Sequence, residues 1–328
     1  MLLFHAPGTR RTDEGGADVS FLRRGRRGVR VAGALSCGLV LAFAALLLGS
    51  GGRSPGAEEA GPPPGKPVFS FLLSDPETAR SFRKEFGLDR RQMGRALEIA
   101  RREAEALGRL YAGSEGIVAA AGEVPVEEIR ERIARSGYNA RVRAVAGATR
   151  ARLLALLPPG SGERLDGWVG RRWALESRRA RAENTYQLAA TGVTCRVYAT
   201  WYRGYTRYEV ALPHKKLKFD GGYRVRISHQ GHRAWAPVKE VGPWNTRDNY
   251  WQSRRYRDMW DDLPRCVPEA QAAYFNNYNG GKDQFGRQVL NPAGVDLTLA
   301  VAGRMGIKRK LQNRGVIRVY VYYPWVRR

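Results

Sequence analysis

Cysteine, histidine and methionine are scarce in this chain: 3, 4 and 4 among 328 residues. Three cysteines cannot frame a disulfide-stapled miniprotein or a zinc-finger array. Two of the histidines, His229 and His232, form an HxxH pair with no third ligand in reach, which reads as a turn rather than a zinc site. Asn279 and Asp283 lie close in sequence but lack the EF-hand pattern for calcium. No metal and no cofactor is expected. Acid is also short relative to base, 31 Asp and Glu against 56 Lys and Arg, a formal net charge of +25. Such a balance calls for an anionic partner: nucleic acid, a membrane surface or an anionic wall polymer. The 43% apolar and 27% charged fractions exclude a disordered chain.

A long uncharged apolar run occurs once. It spans residues 31–49 and follows the basic stretch Arg23-Arg-Gly-Arg-Arg-Gly-Val-Arg30, with Arg53 the next charge. As a helix it can cross roughly 30 Å of hydrocarbon. The positive-inside bias puts residues 1–30 in the cytoplasm and the rest outside. A cleaved signal segment, cut near Gly49–Gly52, is the alternative. Cys37 lies too early in the run to read as a lipoprotein cysteine. Either reading exports the remainder, and outside a membrane wall polymers rank ahead of nucleic acid as the anion.

Residues 50–68 have the Gly/Pro composition of a linker. Residues 69–188 read as an α-helical stalk. Asp75-Pro76-Glu77 supplies an N-cap, a proline at the first helical position and an early acid, and Gly87 a stop. Asp89 caps a second helix whose apolar stripe is Met93, Leu97, Ala100, Ala104, Leu107 and Tyr111. Further helices are predicted over 126–136, 139–157 and 162–188.

From residue 193 the character changes. Six of the eight tryptophans and twelve of the fifteen tyrosines lie beyond residue 190. Alternation at 195–202, 223–227 and 316–322 predicts strands, residues 229–232 a hairpin turn, and 297–305 a short helix stopped by Gly306. Many short strands with few helices point to a small β-barrel over 193–328. Cys195 and Cys266, the two cysteines outside the apolar run, pair in an exported protein or remain as two buried thiols.

Within this region, Ala236-Pro-Val-Lys-Glu-Val-Gly-Pro-Trp244, Val295-Asp-Leu-Thr298, Gly306 and Val316-Ile-Arg-Val319 fall in the order of the motifs of rare lipoprotein A. The segment Ala211-Leu-Pro-His-Lys-Lys-Leu217 is similar to a further stretch of that family. The resemblance covers about 195–322 and implies a double-psi β-barrel, the barrel of expansins and of some lytic transglycosylases. The fold class is then mixed: a C-terminal six-stranded double-psi β-barrel preceded by an α-helical region and an N-terminal transmembrane helix.

The same resemblance implies site residues. Asp296 stands where related barrels carry the acid that protonates a glycosidic oxygen, a role that needs a raised pKa. His214 falls on the motif histidine, and Glu240 stands in place of the motif aspartate. The family's upstream acid has no clear counterpart, although Glu209 is nearby. A hydrolase needs a second carboxylate, with Glu240 or Asp248 as candidates; a lytic transglycosylase needs one. Read without the family, Asp296 is equally an N-cap of the following helix. Two insertions, after Trp244 and over 268–292, are polar and aromatic and suit sugar stacking. Trp244, Asn245, Tyr250, Trp251 and Tyr278 are the substrate-binding candidates. The expectation is a membrane-held or secreted cell-wall protein that binds, and through Asp296 cleaves, peptidoglycan or another anionic wall polysaccharide. A non-catalytic wall-binding or wall-loosening module is the alternative, and a basic nucleic-acid binder ranks third.

Overall fold

The computed structural model describes residues 61–120, 123–219 and 221–326. The basic tail, the apolar run at 31–49 and most of the linker lie outside them. No described helix is long and apolar enough to cross a membrane.

Six helices come first: α1 (Phe69–Ser74), α2 (Pro76–Phe86), α3 (Arg90–Val118), α4 (Val126–Arg135), α5 (Tyr138–Leu156) and α6 (Gly162–Ala182). Their ends are set locally. The Asp75 carboxylate accepts from the Glu77 and Thr78 amides at 3.1 and 2.9 Å, ahead of Pro76. Asp89 and Gln92 form a reciprocal capping box at 2.7 and 2.9 Å. The buried seam of α3 runs Met93, Ala96, Ala100, Glu103 and Leu107, while Leu97 is 41% exposed. The seam therefore drifts from the simple apolar stripe and takes a carboxylate into the interior. The sixth helix is shorter than the predicted 162–188. It ends at Ala182, and Tyr186–Leu188 instead forms strand β1, which pairs antiparallel with β2.

The rest of the chain comprises β2 (Val193–Tyr202), β3 (Val210–Leu212), α7 (Lys215–Phe219), β4 (Arg224–His229), β5 (His232–Val241), α8 (Glu269–Asn276), β6 (Ala293–Thr298), α9 (Leu299–Arg304), α10 (Lys308–Arg314) and β7 (Ile317–Tyr323). The order β2-β6-β3-β5-β4-β7 closes through β7 on β2, giving a six-stranded barrel. The β2–β6 and β3–β5 pairs are parallel and the others antiparallel, a pattern compatible with a double-psi barrel. Gln230 and Gly231, both at positive φ, make the two-residue turn between β4 and β5.

Period-2 alternation fills the barrel. Val197, Ala199, Val225, Ile227, Ala236, Val238, Val295, Leu297, Val319 and Val321 point inward. Cys195 and Cys266 form a disulfide inside this core, with Cα atoms 5.2 Å apart. The helices pack on the outside of the barrel. Phe69, Leu72, Trp168 and Trp173 share one core with Tyr198 of β2 and with Ala270, Ala273, Tyr274 and Phe275 of α8. The 268–292 insertion, expected as a sugar-facing loop, is thus the layer between helices and barrel. Seven of the eight residues of α8 are buried.

Candidate functional site

Asp296 sits in the middle of β6, not at a helix N-terminus. The N-cap position of α9 belongs to Thr298. Because Val295 and Leu297 face the core, Asp296 faces outward, toward the helical layer. Strand register places Thr200, Asp296, Ala211 and Glu240 in one row across β2, β6, β3 and β5. A bulge between Val210 and Ala211 in the β3–β5 pairing brings Glu240, rather than Lys239, opposite Ala211.

Between this row and the helices lies a cavity of about 140 Å³. Thr200, Tyr202 and Asp296 form its barrel wall. Phe71 of α1 with Leu107, Gly108 and Tyr111 of α3 form the opposite wall, and Trp244, Asn291 and Arg314 complete the rim. The Thr200 hydroxyl donates to Asp296 Oδ1. Burial raises the Asp296 carboxyl to about 7; the Thr200 hydrogen bond opposes this, and the charge of Glu115 adds to it. No basic side chain pairs with Asp296 among the described residues. Gly242, where φ is +143°, adopts a backbone that favours glycine, and a Cβ there would stand in ordinary contact, 3.7 Å, with Asp296 Oδ2.

One row further on, Tyr202 donates to Glu209 Oε1 at 3.0 Å. Glu209 also accepts from the Tyr205 amide at 2.6 Å, the Thr206 amide at 2.7 Å and the Thr206 hydroxyl. Its carboxylate is fully buried and saturated, so it fixes the 203–208 loop. Tyr202 is raised above its ordinary value by burial and by Glu209.

The cavity is held in shape by Arg287. This fully buried guanidinium bonds Asp283 at 2.7 Å, the Trp244 carbonyl at 2.9 Å and Glu115 of α3. It also lies 5.0 Å from the Tyr111 ring centroid, and Tyr111 meets Trp244 edge-on at 4.8 Å. Asp283 spends its second oxygen on the Phe285 and Arg287 amides, both at 2.9 Å, which leaves nothing for a cation. No described cluster of His, Cys, Asp and Glu could hold a metal.

The remaining sequence candidates are dispersed. Glu240 shares the row but accepts from Lys218 at 2.7 Å and does not line the cavity. His214 belongs to a second polar cluster, with Nε2 2.9 Å from Asp258 Oδ2. Partial burial pushes Asp258 up, but His214 and the Lys216 charge outweigh it and hold the carboxyl below its ordinary value. Asp248 is fully buried; it accepts from Arg257 at 2.6 Å and from the Glu269 amide at 2.7 Å, a structural ion pair. Asn245 bridges Glu269 and the Gln284 amide. Tyr250 and Trp251 are barrel core: Tyr250 bonds Tyr323 at 2.6 Å and Trp251 stacks on Tyr323 at 4.8 Å, so neither presents a face to a sugar. Tyr278 donates to Asp262 at 2.6 Å on a separate loop, beside Trp260. Trp244 alone among the aromatic candidates reaches the Asp296 cavity.

Sequence reading missed Thr200, Tyr202, Tyr111 and Arg314. The first two are legible in hindsight, as outward positions of the alternating strand 195–202. The last two come from distant helices and carry no local signal.

The sequence profile of a domain family of unknown function, DUF8814, matches residues 185–319, which covers β1 through the first half of β7. No curated protein and no solved structure matches the chain.

Proposed function

We propose that the barrel engages glycan strands of a cell wall and that Asp296 is the acid that protonates the glycosidic oxygen, as in a lytic transglycosylase. The observation that carries this reading is an outward-facing carboxyl on a cavity wall whose burial raises it to about 7, with no basic side chain paired to it among the described residues. Such a group holds a proton near neutral pH and can release it to a leaving oxygen. Thr200 occupies Oδ1, which leaves Oδ2, beside Gly242, as the oxygen that delivers the proton. The motif resemblance to rare lipoprotein A and the closed six-stranded barrel support the assignment. One carboxyl suffices if a hydroxyl of the sugar closes the ring. Glu240, two strand spacings or about 9.6 Å away along the backbone row, is tied to Lys218 and plays no part.

A second reading, binding without cleavage, is favoured by the cavity's size and by the α1 and α3 walls that face Asp296. On either reading the net charge of +25 draws the protein to an anionic wall, and residues 31–49 anchor or export it.

The test is to incubate the full chain and its Asp296→Asn variant with purified sacculi and to analyse soluble products by mass spectrometry. Anhydro-sugar ends made by the wild type alone are expected, with a rate that falls as pH rises through 7. Reducing ends would make it a hydrolase. Retention on sacculi by both proteins without any product would leave the binding reading.

A further inference from the structure

The opposite side of the barrel carries a second surface. Val225, Ile227, Ala234, Ala236, Val319 and Val321 face the core, so the alternate residues of β4, β5 and β7 face out. Register sets Trp235, Arg226 and Tyr322 in one row, and Arg233, Ser228 and Tyr320 in the next. Trp235 is 42% and Tyr320 38% exposed.

The charge on this surface is of one sign. Arg224, Arg226 and Arg233 form no ion pair with a carboxylate among the described residues, whereas Arg196 and Arg318 at its border share Glu183. The Arg226 guanidinium lies 4.8 Å from the Tyr322 ring centroid and 5.9 Å from that of Trp235, and the two rings meet edge-on at 79°. Interior packing does not need this arrangement, and three guanidiniums without a carboxylate partner in successive rows concentrate positive charge on one face. An anionic ligand lying along the rows would neutralise that charge.

We infer that the outer face of β4, β5 and β7 is a binding surface for a linear acidic glycan, separate from the Asp296 cavity. A sugar carboxylate takes the paired N–H donors of a guanidinium, and the C–H face of the ring rests on a partly exposed Trp235 or Tyr320. A nucleic acid would meet the same guanidiniums through its phosphates; the glycan takes precedence because the inference rests on the proposed wall-polymer function, and the oligo(dT) competitor below separates the two. The surface needs no cleavage at Asp296; it holds the strand on which any chemistry takes place.

The probe is immobilised polygalacturonate, a linear polymer of acidic sugars, with amylose and an oligo(dT) strand as competitors. Full chain in detergent is compared with Trp235→Ala, with the double variant Arg226→Gln/Arg233→Gln, and with Arg95→Gln, an exposed arginine of α3 away from both surfaces, all at 0.15 M salt. Trp235→Ala and the double variant are each expected to bind about tenfold more weakly or worse, while Arg95→Gln binds as the wild type does. Arg226→Lys, which keeps the charge but not the planar fork, should lose part of the affinity and serves as the variant least able to disturb the fold. Affinity unchanged by all surface substitutions would overturn the inference, as would oligo(dT) binding these residues more tightly than the acidic glycan. Because this test reads binding and not product release, failure of the catalytic reading leaves its result legible, and the reverse holds too.

Discussion

Replacing Arg287 by Met removes the group that ties α3 to the loop carrying Trp244. Arg287 and Asp283 are 1% and 0% exposed at their side chains and 2.7 Å apart, so the substitution leaves a carboxylate buried without its cation. Breaking a buried pair from one side costs about 3–5 kcal/mol. Burial already pushes Asp283 up, with Arg287 opposing; without Arg287 the carboxyl rises further. The folded variant then binds a proton that the unfolded chain does not, and its stability falls as pH rises from the unfolded-state value to the raised folded-state value. Urea unfolding of full chain and variant at pH 5 and pH 8 reads this out. The loss should be larger at pH 8, and adding Asp283→Asn should recover about 1–2 kcal/mol of it, because an amide carries no charge to strand. A loss below about 1 kcal/mol, or one equal at both pH values and untouched by Asp283→Asn, would refute the account of this clamp.

Three further outcomes follow from the site and the core. Asp296→Asn should make the chain more stable than wild type at pH 8 by about 2–4 kcal/mol and by little at pH 5, because a carboxyl raised to about 7 in the fold loses stability as pH climbs from the unfolded value through 7; parallel unfolding curves at all pH values would contradict it. Replacing both Cys195 and Cys266 by Ala should lower unfolding free energy by about 4 kcal/mol on loop-entropy grounds, given the separation of 71 residues, with equal stability of the two proteins as the contrary result. Gly242→Ala should cost about 1–3 kcal/mol in thermal unfolding, since φ is +143° there, and an unchanged melting temperature would count against that strain.

Local signals carried the helical layer well. Asp75-Pro76, Gly87 and the Asp89/Gln92 box are satisfied within a few residues, so short sequence windows contain the whole interaction. The strongly alternating strands β2, β4 and β7 were legible for the same reason. Strand β6 was not: Val295-Asp-Leu-Thr298 leads directly into an apolar helix, and its partners on β2 and β3, Thr200 and Ala211, lie far upstream in the chain. Segment 269–275 misled by composition. Glu269 and Gln271 look like surface residues, yet Asn245 and the Ala180 carbonyl meet them in the interior. Asp296 was found through a motif, whereas the residues around it from α1, α3 and α10 could not be, because packing between helices and barrel leaves no spacing rule in the sequence. Glu103 shows the same limit: its carboxyl is buried on the α3 seam, accepts from the Ser70 amide at 2.6 Å and is raised by burial to about 7, and nothing in its neighbours marks it.

The central claim is that one barrel carboxyl keeps its proton near neutral pH while facing a cavity. Carbon-detected NMR titration of the Asp296 carboxyl in the full chain, assigned by its loss in Asp296→Asn, measures this directly. The midpoint is expected near 7, moving higher in Thr200→Val because the opposing hydrogen bond is gone. A midpoint in the ordinary aspartate range, about 4, would remove the acid from the mechanism.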